Sequence, residues 1–187
     1  MSSYYLAIVG TRENPLYEVE FSSFKSSTSS TISSSSTSVS SSITSQAMPS
    51  SNAVSHNVNN SSGSINKEPV HVPGKSQFPP STKELLPFIA SSSLDVIEDQ
   101  QWSTQLLNLG KIDQFYGISI SAYITQGNIK FILCYDSNKE ENSIRQFFQD
   151  INDLYVKALM NPFYNVNDAM VSPDFDLKVK LIAKKYL

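Results

Sequence analysis

Residues 140–164, EENSIRQFFQDINDLYVKALMNPFY, decide most of what this chain can fold into. Ile144, Phe147, Phe148, Ile151, Leu154, Tyr155, Ala158 and Leu159 recur at steps of three and four, the period of a helix with one broad apolar face. Arg145, Gln149, Asn152, Asp153 and Lys157 mostly take the other side. Ser137 with Glu140, or Asn138 with Glu141, offers two alternative capping boxes at its start. Asn161-Pro162 ends it, because proline lacks an amide donor and disfavours helical geometry in the residue before it. About twenty residues make a rod of roughly 30 Å, and its apolar face needs a surface to cover. The preceding run supplies one. Ile129, Phe131, Leu133 and Tyr135 alternate with Ile132 and Cys134, so residues 129–136 are apolar on both faces and belong inside a sheet covered on both sides.

The other elements follow from the same periods. Residues 4–9 are a short apolar run rich in strand formers. A turn at residues 10–15 leads to residues 16–21, where Tyr17, Val19 and Phe21 share one face and Glu18 and Glu20 the other, so the two strands form a hairpin. Ser81 with Glu84 offers a capping box for a helix lined by Leu85, Phe88, Ile89, Val96 and Ile97 and running to about Gln101. Pro87 is tolerable only near a first turn, which pushes the expected start past Ser81. The small Ser91, Ser92 and Ser93 let another element approach closely. A weak strand at residues 109–115 and a strong one at 116–125 follow, the latter with Ile118, Ile120, Ala122 and Ile124 on one face. Ser172-Pro173-Asp174 opens a last helix with a serine cap, proline at its first position and an early acid; Phe175, Val179 and Ile182 line it. The order β-β-α-β-β-β-α-α predicts an α+β domain: a five-stranded, mainly antiparallel sheet with one helix on one face and two on the other.

Between the second strand and the first helix, residues 23–79 are dominated by serine, with threonine and asparagine filling much of the rest. Apolar residues there are too sparse to offset the entropy of ordering, so the segment reads as a disordered insert in a single domain spanning 1–187. The 187 residues carry a net charge of -3, which argues against a general nucleic-acid binder. No apolar run reaches the ~18 residues of a membrane span, and Met1-Ser2-Ser3 leads into a strand without a signal peptide's basic start.

Chemistry is sparse. His56 and His71, the only histidines, both fall in the insert, which cannot hold a general base or a zinc site. Gly74-Lys75-Ser76 lacks the earlier glycine of a phosphate-binding loop, since Pro69 stands there. Asn59-Asn60-Ser61-Ser62 holds two overlapping glycosylation sequons, and the serines are phosphorylatable only in a compositional sense. Cys134, the single cysteine, reads as a buried small hydrophobe. Asp95, Glu98 and Asp99 have no metal or catalytic spacing and read as a solvated helix side, as do Lys178, Lys180, Lys184 and Lys185. Neither catalysis nor a cofactor or metal is expected, which leaves a binding or assembly module.

Several runs carry a resemblance. They include residues 4–10 with Asn14-Pro15 and residues 18–21; Pro87-Phe88-Ile89 with residues 93–98; Trp102; Lys111-Ile112-Asp113 with Phe115; residues 121–124; and Ser172-Pro173 with Phe175-Asp176. The most specific is Asp153-Leu154-Tyr155-Val156-Lys157 with Met160-Asn161-Pro162-Phe163-Tyr164. In these the chain resembles the sedlin family, the small subunit of the TRAPP vesicle-tethering complex, in a fungal form. The serine-rich insert is the main departure. The resemblance implies a longin-like (SNARE-like) fold and a non-catalytic scaffold or adaptor, without cofactor, in endoplasmic reticulum-to-Golgi transport and autophagy. It implies the other TRAPP subunits as partners, a Rab-type GTPase indirectly through the exchange activity of the assembly, and links to SNAREs. The implied location is cytoplasmic, peripheral at Golgi and endoplasmic reticulum membranes. Asp95 falls where the family carries an aspartate associated with partner attachment; Glu98 lies beside it. Phe163 and Tyr164 follow the helix break, where they either plug the core, the commoner place for large aromatics, or face a partner. A longin-domain coat chain or SNARE, and a small-ligand module on the same sheet, are the competing readings. A SNARE needs a heptad segment after the domain, and this sequence ends at Leu187 directly after its last helix.

Removing residues 26–76 is expected to leave the thermal unfolding midpoint nearly unchanged, since extra length in a surface connection costs little. A large drop in a calorimetric melt would show that the segment contributes to the fold.

Overall fold

The computed structural model describes residues 2–22, 78–136 and 139–187. In chain order they form β1 (Ser3–Val9), β2 (Pro15–Ser22), α1 (Pro80–Ser103), β3 (Asn108–Phe115), β4 (Ile118–Ile124), β5 (Lys130–Tyr135), α2 (Glu141–Leu159) and α3 (Pro173–Tyr186). The sheet order is β2-β1-β5-β4-β3, with every pairing antiparallel. This is the α+β arrangement that the order of elements predicted and the longin-like topology that the resemblance implied. The residues read as an insert lie, apart from Phe78 and Pro79, outside the described ones, as do both histidines, the sequons and Gly74-Lys75-Ser76. Phe78 is buried in the apolar cluster beneath α1.

β5 is the central strand. Its Phe131, Leu133 and Tyr135 enter one core with α2 and α3; Ile132 and Cys134 enter the other with α1. Leu6 pairs with Leu133 on one side of β5, and Ala122 with Ile132 on the other, so both hydrophobic faces stay in register across the sheet. The α2 side is aromatic. Tyr123 stacks on Phe131 at 5.8 Å between ring centroids, and Tyr155 meets Phe131 edge-on at 5.8 Å.

α1 differs from the sequence expectation in three ways. It starts at Pro80 rather than beyond Ser81, and the Ser81–Glu84 box does not form: Pro79 is the N-cap, with no side-chain cap bond. Pro80 at the first position explains the earlier start, because its missing N–H falls where a helix has no acceptor. Pro87 sits inside the helix, on its exposed side. An interior proline costs ~3 kcal/mol, whereas each buried Leu or Ile contributes ~1.5–3 kcal/mol, so Leu86, Ile89, Leu94 and Ile97 outweigh it. The inward stripe is also rotated: Leu86, Ile89, Ala90, Ser93, Leu94 and Ile97 are buried, while Leu85 and Phe88 face solvent. Ser93 is the inward small residue that permits close approach, its hydroxyl bonding to the Ala90 carbonyl at 2.7 Å.

α2 buries Ile144, Phe147, Phe148, Ile151 and Tyr155, as its period required. Its N-cap is Glu140, without a side-chain cap bond, and Ser137 and Asn138 lie outside the described residues. α3 has the expected Ser172 cap, whose hydroxyl accepts from the Phe175 amide. It is fastened to β2 by Tyr17, whose hydroxyl donates to Asp176 at 2.8 Å, while Lys180 pairs with the same carboxylate at 2.7 Å.

These two partners make Asp176 a reporter of the α3–β2 contact. The Lys180 hydrogen bond chiefly, with Tyr17 adding to it, holds the Asp176 carboxyl below the usual range. Its contribution is therefore present above the unfolded pKa and is lost as pH falls through the lower folded value. In carboxyl NMR titrations, Lys180→Ala should return Asp176 toward the ordinary range more than Tyr17→Phe does; the reverse order would make the phenol the main support.

Candidate functional site

The described residues do not bring together a set of groups for chemistry. No group of three or more His, Cys, Asp or Glu among them is placed to hold a metal ion, and none of their helices is long and apolar enough to cross a membrane. Burial pushes the Cys134 thiol up to about 12, leaving it protonated and inert at neutral pH. Three of the four clustered lysines are held by neighbours: Lys178 by Asp174 at 2.6 Å, Lys180 by Asp176 at 2.7 Å and Lys185 by Asp150 at 3.2 Å. Such exposed pairs are weak, but they leave little uncompensated charge for an anionic surface.

The outward face of α1 is the most distinctive surface. Leu85, Phe88, Ser92, Asp95, Asp99 and Trp102 recur at steps of three and four, opposite the buried stripe, and all six are exposed. At 1.5 Å per residue they cover about 26 Å. Apolar residues stand at both ends, Phe88 being 63% and Trp102 91% exposed, and acids occupy the middle. Beside Phe88, a small cleft is closed by Ser92, Asp113 and Phe115, and Phe115 meets the exposed Tyr116 edge-on at 4.6 Å. A stripe with anchors at its ends and carboxylates between them can seat a partner of opposite pattern.

Of the residues singled out from sequence, Asp95 lies in the middle of this stripe, exposed to solvent. Glu98 is different. It is 3.5 Å from the ammonium of Lys130, a side chain only 2% exposed in the central strand. Sequence reasoning missed Lys130; the signal was a lone lysine at a position facing the α1 core. Phe163 and Tyr164 separate. Tyr164 is half-buried against the α2–α3 core and donates its hydroxyl to the Asp168 carbonyl at 2.6 Å. Phe163 is 90% exposed, so the core reading fails for it: the chain turns just after α2, and its ring points outward. Asp95 and Glu98 thus lie on the helix covering one face of the sheet, and Phe163 and Tyr164 on the loop behind the helices covering the other.

The sequence model of the sedlin family matches residues 66–185. The chain is 31% identical over 218 aligned residues to trafficking protein particle complex subunit 20 of Saccharomyces cerevisiae, covering 98% of this chain and 97% of that protein. It is 31% identical over 183 residues to the transport protein particle 20 kDa subunit of Schizosaccharomyces pombe, with 98% of each covered. It is 30% identical over 187 residues to a probable trafficking protein particle complex subunit 2 of Drosophila melanogaster, covering 100% of this chain and 99% of that protein.

The Lys130–Glu98 pair can be tested by its asymmetry. Lys130→Met should change unfolding free energy by less than about 1 kcal/mol or stabilise, because a buried charge is replaced by an apolar stem. Glu98→Ala should destabilise by roughly 1–3 kcal/mol, less than for a fully buried pair because Glu98 is half-exposed. Urea melts of both variants measure this; equal losses would mean that the ion pair itself is net stabilising.

Proposed function

Because the chain belongs to the sedlin family, we propose that it is a non-catalytic scaffold subunit of a trafficking particle, acting in vesicle transport. Its relatives' names are those of particle subunits, and the matches run along nearly the whole chain. Under this reading it works as an adaptor to larger subunits in endoplasmic reticulum-to-Golgi transport and autophagy. Activation of a Rab-type GTPase belongs to the assembly, and contacts with SNAREs are made in that setting. The protein is cytoplasmic and reaches Golgi and endoplasmic reticulum membranes through the particle.

The observation that carries the proposal is the exposed stripe on α1 with Asp95 at its middle. Two exposed aromatic anchors are costly to leave facing water in a lone protein, and with acids between them they are useful in an interface. The partner it fits lays apolar side chains against Phe88 and Trp102 and an Arg or Lys against Asp95. Glu98 adds to the acidic field while holding Lys130. The apolar ends supply affinity, and the pair between Asp95 and the partner's cation supplies register and specificity.

Asp95→Arg should leave the melting temperature unchanged, as a surface substitution does. It should weaken attachment of a larger subunit by at least about tenfold, the scale of reversing one member of an interfacial charge pair. The measurement is quantitative co-purification at native abundance, and undiminished recovery of every subunit would overturn the assignment of Asp95.

A further inference from the structure

We infer that the end of the domain formed by the second half of α2 and the β4–β5 turn is a second docking surface, which takes an uncharged, apolar segment of another protein subunit. That the guest is a subunit rests on the function proposed above; the chemistry of the surface stands by itself. A groove of about 350 Å³ opens there, floored by Tyr123, Ile129, Tyr155 and Leu159 and walled by Leu107, Val156 and Val166. No Asp, Glu, Lys or Arg lines it. The groove on the other flank of α2 is unlike it, for Lys157, Lys178 and Asp174 stand in that one.

The absence of charge selects the guest. A carboxylate or ammonium entering this groove gives up hydration and finds no opposite charge in the lining to offset that loss. An anionic membrane surface is held through Lys and Arg, which the lining lacks. Its polar groups are the hydroxyl of Thr125 and the amides of Gln126 and Asn152, which match the donors and acceptors of a peptide backbone. Tyr155, 1% exposed, adds a buried hydroxyl that has no partner among the described residues.

The rim is built to bind. Val156 and Met160, four residues apart, share a helix face and are 46% and 77% exposed. Phe163 stands in sequence between Leu159 and Val166, both of which line the groove. Its loop is held: Asn161 accepts from the Phe163 amide at 3.1 Å, Asn165 donates to Asp168 at 3.0 Å, and the Met170 amide donates to the Leu16 carbonyl at 2.8 Å. A loop ordered in advance gives up little freedom on binding, and it carries Val166, a groove wall that is itself 49% exposed.

The test places a photo-crosslinker at the rim. Val166→p-benzoylphenylalanine in the full chain at native abundance, irradiated after gentle purification, should give a product with another subunit. The linked segment should be apolar and free of Asp, Glu, Lys and Arg. Val166→Asp, with an unchanged melting temperature, should reduce recovery of that subunit at least about tenfold while the subunit sensitive to Asp95→Arg stays; Val156→Asp repeats the test from α2. A product with a second copy of this chain, with lipid or with a charged segment overturns the inference, as does no product from an intact particle. If no subunits accompany the unmodified chain, the scaffold reading falls, and the linked product still decides this one: an uncharged segment of another protein sustains it, and anything else ends it.

Discussion

Everything in this domain depends on burying both faces of β5. Phe131, Leu133 and Tyr135 need cover on one side, and Ile132 and Cys134 on the other. A single layer cannot do both, so the sheet is enclosed by α1 on one face and by α2 with α3 on the other. The sequence order makes this possible. The β1–β2 hairpin adds to one side of β5 and the β3–β4 hairpin to the other, and α1 travels between them across the sheet. A helix of its 24 residues reaches about 36 Å, more than the roughly 20 Å width of five strands. The excess length is part of why α1 has an outward face worth using.

The two helical layers were not equally legible. α2 is apolar on one side only, so its period admits a single solution, and the aromatic core followed from it. α1 carries two stripes. Leu86, Ile89, Leu94 and Ile97 form one, and Leu85, Phe88 and Trp102 belong to the other. Periodicity alone cannot say which stripe meets the sheet. The small Ser93 decides it in the structure, since close packing there brings Ala90 and Leu94 inward as well. A helix whose second stripe is left in water is a conflict between local pattern and burial, and such conflicts concentrate where a surface has another use. Asp95 came from a family resemblance, but the stripe around it is a property of this helix.

Termini and loops were less readable because short-range competition decides them. The Ser81–Glu84 box does not form, and Pro79 and Glu140, neither with a side-chain cap bond, stand at the N-caps of α1 and α2. At the break after α2, Phe163 and Tyr164 are adjacent aromatics with opposite fates. What separates them is tertiary. Asn167, with positive φ, accepts from the Thr11 amide at 2.8 Å and contacts the turn at Gly10, where a Cβ would collide with its side chain. That clasp, with the Met170–Leu16 bond, fixes the loop's path so that Tyr164 packs inward and Phe163 cannot. Residues 156 positions apart in sequence make this contact, so no local pattern announces it.

The same enclosure that stabilises β5 also separates the surfaces it leaves exposed. The acidic stripe lies on α1, while Phe163 and the uncharged groove belong to the layer across the sheet. Substitutions at well-separated, independent sites act almost additively, so binding at one surface need not disturb the other. The surfaces differ in chemistry as well as place: one offers carboxylates between aromatic anchors, the other only apolar and neutral polar groups. A segment suited to the first brings a cation that the second cannot accommodate, and an apolar neutral segment leaves the acids of the first unpaired on burial. Discrimination therefore arises from what each surface rejects, and the domain needs neither a moving part nor a reactive group to keep two partners apart.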